Sequence, residues 1–179
     1  MLVKGRSQRR SDDMADDIQK SKLDALKKTA RPCFQCGICT SSCPVFRVAP
    51  ELNPRVSVDS IITKGEVPRE GNEWLCAYCL MCDQRCPMGV SLAEILMEIK
   101  NISAREGKAP PDVIESAESL MADGCLSPIS SRSEKKRTEL GLPDLPKADP
   151  LDVQKLFKAT GAFEVLEINK AAQQEEAAE

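Results

Sequence analysis

Eight of the nine cysteines in this 179-residue chain fall in two runs of identical spacing, Cys33-x2-Cys36-x2-Cys39-x3-Cys43-Pro44 and Cys76-x2-Cys79-x2-Cys82-x3-Cys86-Pro87, offset by 43 residues. Three thiols at two-residue gaps wrap one compact turn, so each run presents three sulfurs to one polynuclear centre, each capping a different iron of a cubane. The run matches bacterial-type [4Fe-4S] ligation, in which the fourth cysteine serves the other cluster. Pro44 and Pro87, with no N–H and a fixed φ, end the helical turn and set the last cysteine apart from the first three. The expected partition is therefore crossed. Cys33, Cys36, Cys39 and Cys86 hold one cluster; Cys76, Cys79, Cys82 and Cys43 hold the second. Each cluster then staples both runs together. The residues between, such as Gly37, Ile38, Ala77, Leu80 and Met81, are small or apolar, which suits a low-dielectric cover and a close approach of backbone N–H groups.

The rest of the composition removes most alternatives. The chain has no histidine, which excludes a histidine general base, a Ser-His-Asp or Cys-His nucleophile, a Cys/His zinc finger, a Rieske centre and a His-ligated haem. Zinc is satisfied by four thiolates and leaves the third cysteine of each run and the Cys-Pro ending unexplained. The opening, Met1 to Asp17, is basic and then acidic with no apolar stretch, so it does not read as a secretory signal despite Arg9 and Arg10. A cytoplasmic setting, where disulfides are rare, is the expectation. No apolar run reaches the roughly 18 residues of a membrane span. With 25 Lys+Arg against 28 Asp+Glu, the basic excess that phosphate neutralisation needs is missing, and no nucleic-acid partner is expected. No G-x-G-x-x-G, Walker A, G-x-S-x-G or H-E-x-x-H pattern occurs. Four thiolates on each cluster leave no iron open to a substrate, so the expected role is electron transfer with no catalytic residue on this chain. Cys125 has no cysteine neighbour and reads as a spectator thiol.

Apolar periodicity is helical throughout. Met14 to Lys28 carries Ile18, Leu23 and Leu26 on one side. Ser91 and Glu94 form a capping-box pattern opening a helix to about Arg105, with Leu92, Ile95, Leu96, Ile99 and Ile102 on its apolar stripe. A further helix spans Asp112 to Asp123 and stops at Gly124. Ser127 to Arg137 reads as a linker or a solvated helix. Asp149-Pro150 marks the N-cap and first residue of a short helix, Leu151 to Thr160, stopped by Gly161. The end, Ala171 to Glu179, reads as an acidic, disordered tail. The predicted fold class is all-α, an α-helical ferredoxin-like domain with two [4Fe-4S] clusters, flanking helices and polar tails. Its divisions are a basic N-terminus (1–14), the cluster domain (15–126), an extension with a short helix, placed for partner contact (127–168), and an acidic tail (169–179).

Two such cysteine runs separated by a helical insert, followed by Glu139-Leu-Gly-Leu-Pro-Asp-Leu-Pro146 and by the segment from Asp152 to Gly161, resemble the C subunit of heterodisulfide reductase from methanogenic archaea. The resemblance covers most of residues 15–165. The cysteine runs alone are shared with iron-sulfur subunits of succinate, glycolate and glycerol-3-phosphate dehydrogenases, which is the alternative relay role; the later segments narrow the choice. The resemblance implies a small protein that takes electrons from the flavin-containing A subunit of the reductase and passes them to its catalytic B subunit, which reduces the disulfide of coenzymes M and B. In methanogenesis, the flavin-containing subunit is joined to a hydrogenase or formate dehydrogenase module and splits electron pairs between that disulfide and ferredoxin, which is flavin-based bifurcation. Related fused proteins continue into Cys-Cys-Gly domains, a tripeptide absent here, which implies that the disulfide site lies on another chain.

Overall fold

Helices form where the sequence punctuates them. The structure, a computed structural model, describes residues 20–68, 71–126, 129–143 and 148–176. Helix α1 occupies residues 20–30; the earlier part of the expected Met14 to Lys28 helix lies outside the described residues, as does the basic N-terminus, 1–14. Next come α2 (Ile38–Ser42), α3 (Pro54–Asp59) continuing into a π-helical turn (Ser60–Lys64), a 3-10 turn (Asn72–Leu75), α4 (Met81–Gln84), α5 (Leu92–Arg105), α6 (Pro111–Asp123), α7 (Ser131–Glu139), α8 (Pro150–Thr160) and α9 (Ala162–Glu176). No strand occurs among the described residues, and the fold is all-α. No helix among them is long and apolar enough to cross a membrane.

The caps are those the residue types call for. Asp149 Oδ1 accepts the Leu151 N–H at 2.9 Å ahead of Pro150 at the first helical position. Gly124 and Gly161, at φ 67° and 75°, close α6 and α8 in the left-handed conformation, where a Cβ would be strained. At α5, the observed partner of the Ala93 N–H is Asp83 Oδ1, at 2.8 Å, a carboxylate ten residues upstream in α4.

Contacts divide the chain into two units, Met1–Ser103 and Ala104–Glu179. In the first, the expected stripe of α5 is buried: Leu92, Ile95, Leu96, Ile99 and Ile102 pack with Leu26 and Ala30 of α1, Leu52, Val58, Ile61 and Val67. A Lys22–Glu98 ion pair ties α1 to α5. Lys100 of α5 donates to the Cys76 carbonyl at 2.7 Å and lies 5.7 Å from the Trp74 ring centroid, while Trp74 Nε1 donates to Ser103 Oγ at 3.2 Å. The backbone entering the second cysteine run is thus held on α5.

In the second unit α6, α8 and α9 pack together, burying Ile114, Val153 and Leu166. The expected 15–126 span therefore includes α6, whose packing partners lie in residues 104–179. The reading of Ala171 to Glu179 as a disordered tail is corrected by α9, which runs to Glu176. Beside Leu166, its other buried residue is polar. Asn169 is buried, with Nδ2 donating to the Ala104 and Val165 carbonyls at 2.6 and 2.7 Å and Oδ1 accepting the Ala109 N–H at 2.7 Å. An asparagine in the buried stripe interrupts the apolar period that would have marked the helix. Helix α7 buries none of its residues; of the two readings offered for that stretch, the solvated helix is the one observed.

Candidate metal centre

The sequence repeat is also a backbone repeat. The Cys33 N–H donates to the Ala30 carbonyl at 2.9 Å and the Cys76 N–H to the Glu73 carbonyl at 3.1 Å, so each run starts pinned to the helical turn before it. Each then passes through two left-handed residues, Gln35 and Gly37 in the first run and Tyr78 and Leu80 in the second, at φ 63°, 81°, 50° and 61°. Short helices α2 and α4 follow, carrying Cys39 and Cys82. The Cys43 N–H donates to Thr40 and the Cys86 N–H to Asp83, both at 3.2 Å, and a proline follows each. One further N–H is directed at each last sulfur: Phe46 to Cys43 Sγ at 3.4 Å, Val90 to Cys86 Sγ at 3.3 Å.

Gln35, Tyr78 and Leu80 are the positive-φ non-glycine residues among the described residues, and all lie inside the cysteine runs. Such a conformation costs of order 1 kcal/mol or more per residue and persists where the surroundings impose it, commonly at functional sites. Alternating left- and right-handed backbone turns successive N–H groups to one side, making a concave nest for an anionic centre, a device found at Fe–S sites. A cluster held by four thiolates is such a centre. The nest was not legible as a pattern of residue types, because only Gly37 of the four is glycine.

Helices α2 and α4 pack on each other, and Arg85 Nη1 donates to Ser42 Oγ at 3.4 Å. Arg85 and Ser42 are equivalent positions of the repeat, so the two runs meet at like positions. The thiols fall accordingly. Cys43, buried, lines one small cavity together with Cys76, Cys79 and Cys82; Val45, Leu52, Pro54, Ala93 and Leu96 supply apolar wall. In the first run Cys33, Cys36 and Cys39 are electrostatic neighbours. Cys33, Cys39 and Cys86 pack against the core, while Cys36 and Cys79, the middle cysteines, are exposed. Cys125 lies in the other unit, half-buried.

Burial pushes the Cys39 thiol up, against hydrogen bonds from Thr40 that favour the thiolate. Burial pushes Cys82 up to about 12, with the neighbouring Asp83 charge adding to it. Thiols of this kind stay protonated at neutral pH unless a cation takes the proton's place, which is what metal ligation does. Among the described residues, no three Cys, Asp or Glu side chains converge tightly enough for a single metal ion. The four thiols around the cavity surround a space, as the donors of a four-iron cubane do with one thiolate per iron. Donor chemistry and backbone conformation fit a cubane at each run, and at the second run the cavity adds Cys43 to Cys76, Cys79 and Cys82.

Residues 29–90 match the family model of a 4Fe-4S dicluster domain, a span that holds all eight repeated cysteines and leaves Cys125 outside. The chain carries two [4Fe-4S] clusters. It is 30% identical over 146 residues to the C subunit of the ferredoxin/F420H2-dependent CoB-CoM heterodisulfide reductase of Methanosarcina acetivorans, covering 82% of this chain and 88% of that protein. It is 28% identical to the C subunit of the ferredoxin:CoB-CoM heterodisulfide reductase of Methanosarcina mazei, covering 89% and 99%. Against the C subunit of the H2:CoB-CoM heterodisulfide,ferredoxin reductase of Methanothermobacter marburgensis, identity is 29%, over 76% and 78%. Similarity that extends from the cluster loops through both units identifies more than a ferredoxin module: the chain belongs to the family of heterodisulfide reductase C subunits, the iron-sulfur electron-transfer subunits of an oxidoreductase.

Proposed function

We propose that this chain is the relay between the flavin-bearing A subunit and the disulfide-reducing B subunit of a heterodisulfide reductase, and that it has no substrate site of its own. The observation that carries this reading is the cavity shared by Cys43 with Cys76, Cys79 and Cys82. A cubane with a thiolate on each of four irons supplies one-electron transfer and offers no open position for a reactant. The matched spacing and backbone of the two runs support Cys86 as the ligand that completes the set of Cys33, Cys36 and Cys39. Reducing a disulfide to two thiols takes two electrons and two protons; the chain supplies a path for the electrons, and the protons come at the catalytic subunit.

The exposed residues around the middle cysteines support docking of partners at each site. Phe34 and Ile38 flank Cys36, and Tyr78 and Leu80 flank Cys79, all exposed apolar side chains. The relatives differ in the electron donor that their names print, ferredoxin, F420H2 or H2, which is the variety expected if donor specificity resides on other chains. A hydrogenase or formate dehydrogenase module, reached through the flavin-bearing subunit in a bifurcating, cytoplasmic complex, fits that arrangement. Isolation of the native complex under anoxic conditions tests the reading: a flavoprotein and a second cysteine-rich protein should accompany the chain. A membrane cytochrome in their place would overturn it in favour of a quinone-linked dehydrogenase.

A further inference from the structure

The two cysteine runs match in spacing, in backbone conformation and in the N–H groups directed at their last sulfurs. They also match in their cations: Arg55 Nε donates to Gln35 Oε1 in the first run at 3.1 Å, and Lys100 Nζ to the Cys76 carbonyl in the second at 2.7 Å. At two equivalent positions they differ in charge. One is Arg85 against Ser42, and there the Arg85 guanidinium joins the two runs, donating from Nη1 to Ser42 Oγ at 3.4 Å; the other stands beside the third sulfur of each run. The residue after Cys39 is Thr40, a neutral hydroxyl that donates to Asn53 Oδ1 at 2.7 Å and accepts the Arg55 N–H at 3.3 Å. Its counterpart after Cys82 is Asp83, whose Oδ1 lies 3.5 Å from Cys82 Sγ. That same oxygen accepts the Ala93 N–H at the start of α5 at 2.8 Å. The hydrogen bond, at a helix N-terminus, holds the carboxylate in place.

We infer that Asp83 sets the order of reduction in the relay: its fixed negative charge beside Cys82 makes the site of Cys76, Cys79 and Cys82 harder to reduce than that of Cys33, Cys36 and Cys39. Electrons then run from the second run to the first, entering near the exposed Cys79 and leaving near the exposed Cys36. The physical reason is direct. Each electron added to a thiolate-ligated cluster is a negative charge, and a carboxylate within a few ångströms, screened by an effective dielectric of about 20, disfavours it by roughly tenfold or more in the equilibrium constant. When iron displaces the Cys82 proton, the sulfur has nothing left to donate to Asp83, and the Ala93 amide keeps the carboxylate from turning away. Asp83 is a positioning residue for α5 as well, so a test needs a readout that loss of a cap alone does not move.

The inference rests on the reading that each run holds a redox-active cluster, and not on which cluster takes Cys43 or Cys86. EPR-monitored redox titration of the anoxically purified full-length holoprotein should resolve two one-electron transitions. Cys79→Ser should abolish the lower one. Asp83→Asn, which keeps an oxygen acceptor for Ala93, should raise the lower transition by about tenfold in the reduced-to-oxidised ratio at fixed poise, about 59 mV for one electron, and leave the upper one in place. Thr40→Asp should lower the upper transition by a similar factor. It carries the test independently if Asp83→Asn loads less than the wild-type iron. Loss of the upper transition in Cys79→Ser, or unmoved transitions in both charge variants, would overturn the inference. Absence of any transition in the wild type would instead overturn the relay reading beneath it.

Discussion

Replacing Cys43 by serine separates the two ways in which eight thiolates can hold two clusters. In sequence Cys43 closes the run of Cys33, Cys36 and Cys39; in space it lines a cavity with Cys76, Cys79 and Cys82. At 8% exposure it has little access to water able to stand in as a ligand. A serine hydroxyl, a far weaker acid than a thiol, is a poor replacement in a setting that already pushes the Cys82 thiol to about 12. One of the two sites therefore drops to three ligands, and the iron content should fall from about eight to about four per chain, one cubane's worth. That count alone does not identify the cluster lost. Pairs of substitutions do, because changes at one site do not add while changes at separate sites do.

With crossed ligation, Cys43→Ser combined with Cys79→Ser should retain about four irons per chain, no fewer than either single variant, since both strike the same cluster. Cys43→Ser combined with Cys36→Ser should retain close to none. The mirror pairs follow from the same crossed scheme: Cys86→Ser should be redundant with Cys36→Ser and cumulative with Cys79→Ser. Iron and acid-labile sulfide per chain, measured on anoxically purified protein, with the EPR spectrum of the dithionite-reduced state, provide the assay. Retention of about four irons by the Cys43/Cys36 pair together with their loss from the Cys43/Cys79 pair would refute crossed ligation.

Ile99 is fully buried in the stripe of α5, so Ile99→Ala should lower the stability of the holoprotein by about 2–5 kcal/mol through lost burial and a residual cavity, read by denaturant or thermal unfolding. Asn169→Ala leaves the Ala109 N–H without its observed partner, while the Ala104 carbonyl keeps the Gly107 N–H; a cost of about 1–3 kcal/mol is expected, with faster hydrogen exchange at Ala109 as the local signature. The iron-free chain should lose stability as pH rises from about 9 to about 12. The folded state keeps the Cys82 proton up to about 12, because of burial and then the Asp83 charge, while the unfolded chain releases it near the ordinary thiol value. Circular-dichroism melts across that interval check the sign, and a flat profile would contradict it.

What could be read in advance, and what could not, divides along physical lines. Cysteine spacing, capping glycines and the apolar stripe of α5 are local signals, carried by residue type at fixed offsets, and the glycines and the stripe appear in the structure where the sequence places them. Helix α9 escaped because the residue that fastens it, Asn169, is recognised by backbone groups at Ala104 and Ala109, some sixty residues away. The left-handed conformation at Tyr78 and Leu80 escaped for a different reason: neither is glycine, so the strain is imposed by the loop around the sulfurs and is not announced by the residue. Asp83 belongs to the same class. In sequence nothing marks it out beside Cys82, and only the fold brings the Ala93 amide to it and holds its carboxylate in place. The metal-binding chemistry was therefore legible in a one-dimensional pattern, whereas the features that distinguish one cluster site from its twin depend on contacts between the second run and α5, which spacing alone does not encode.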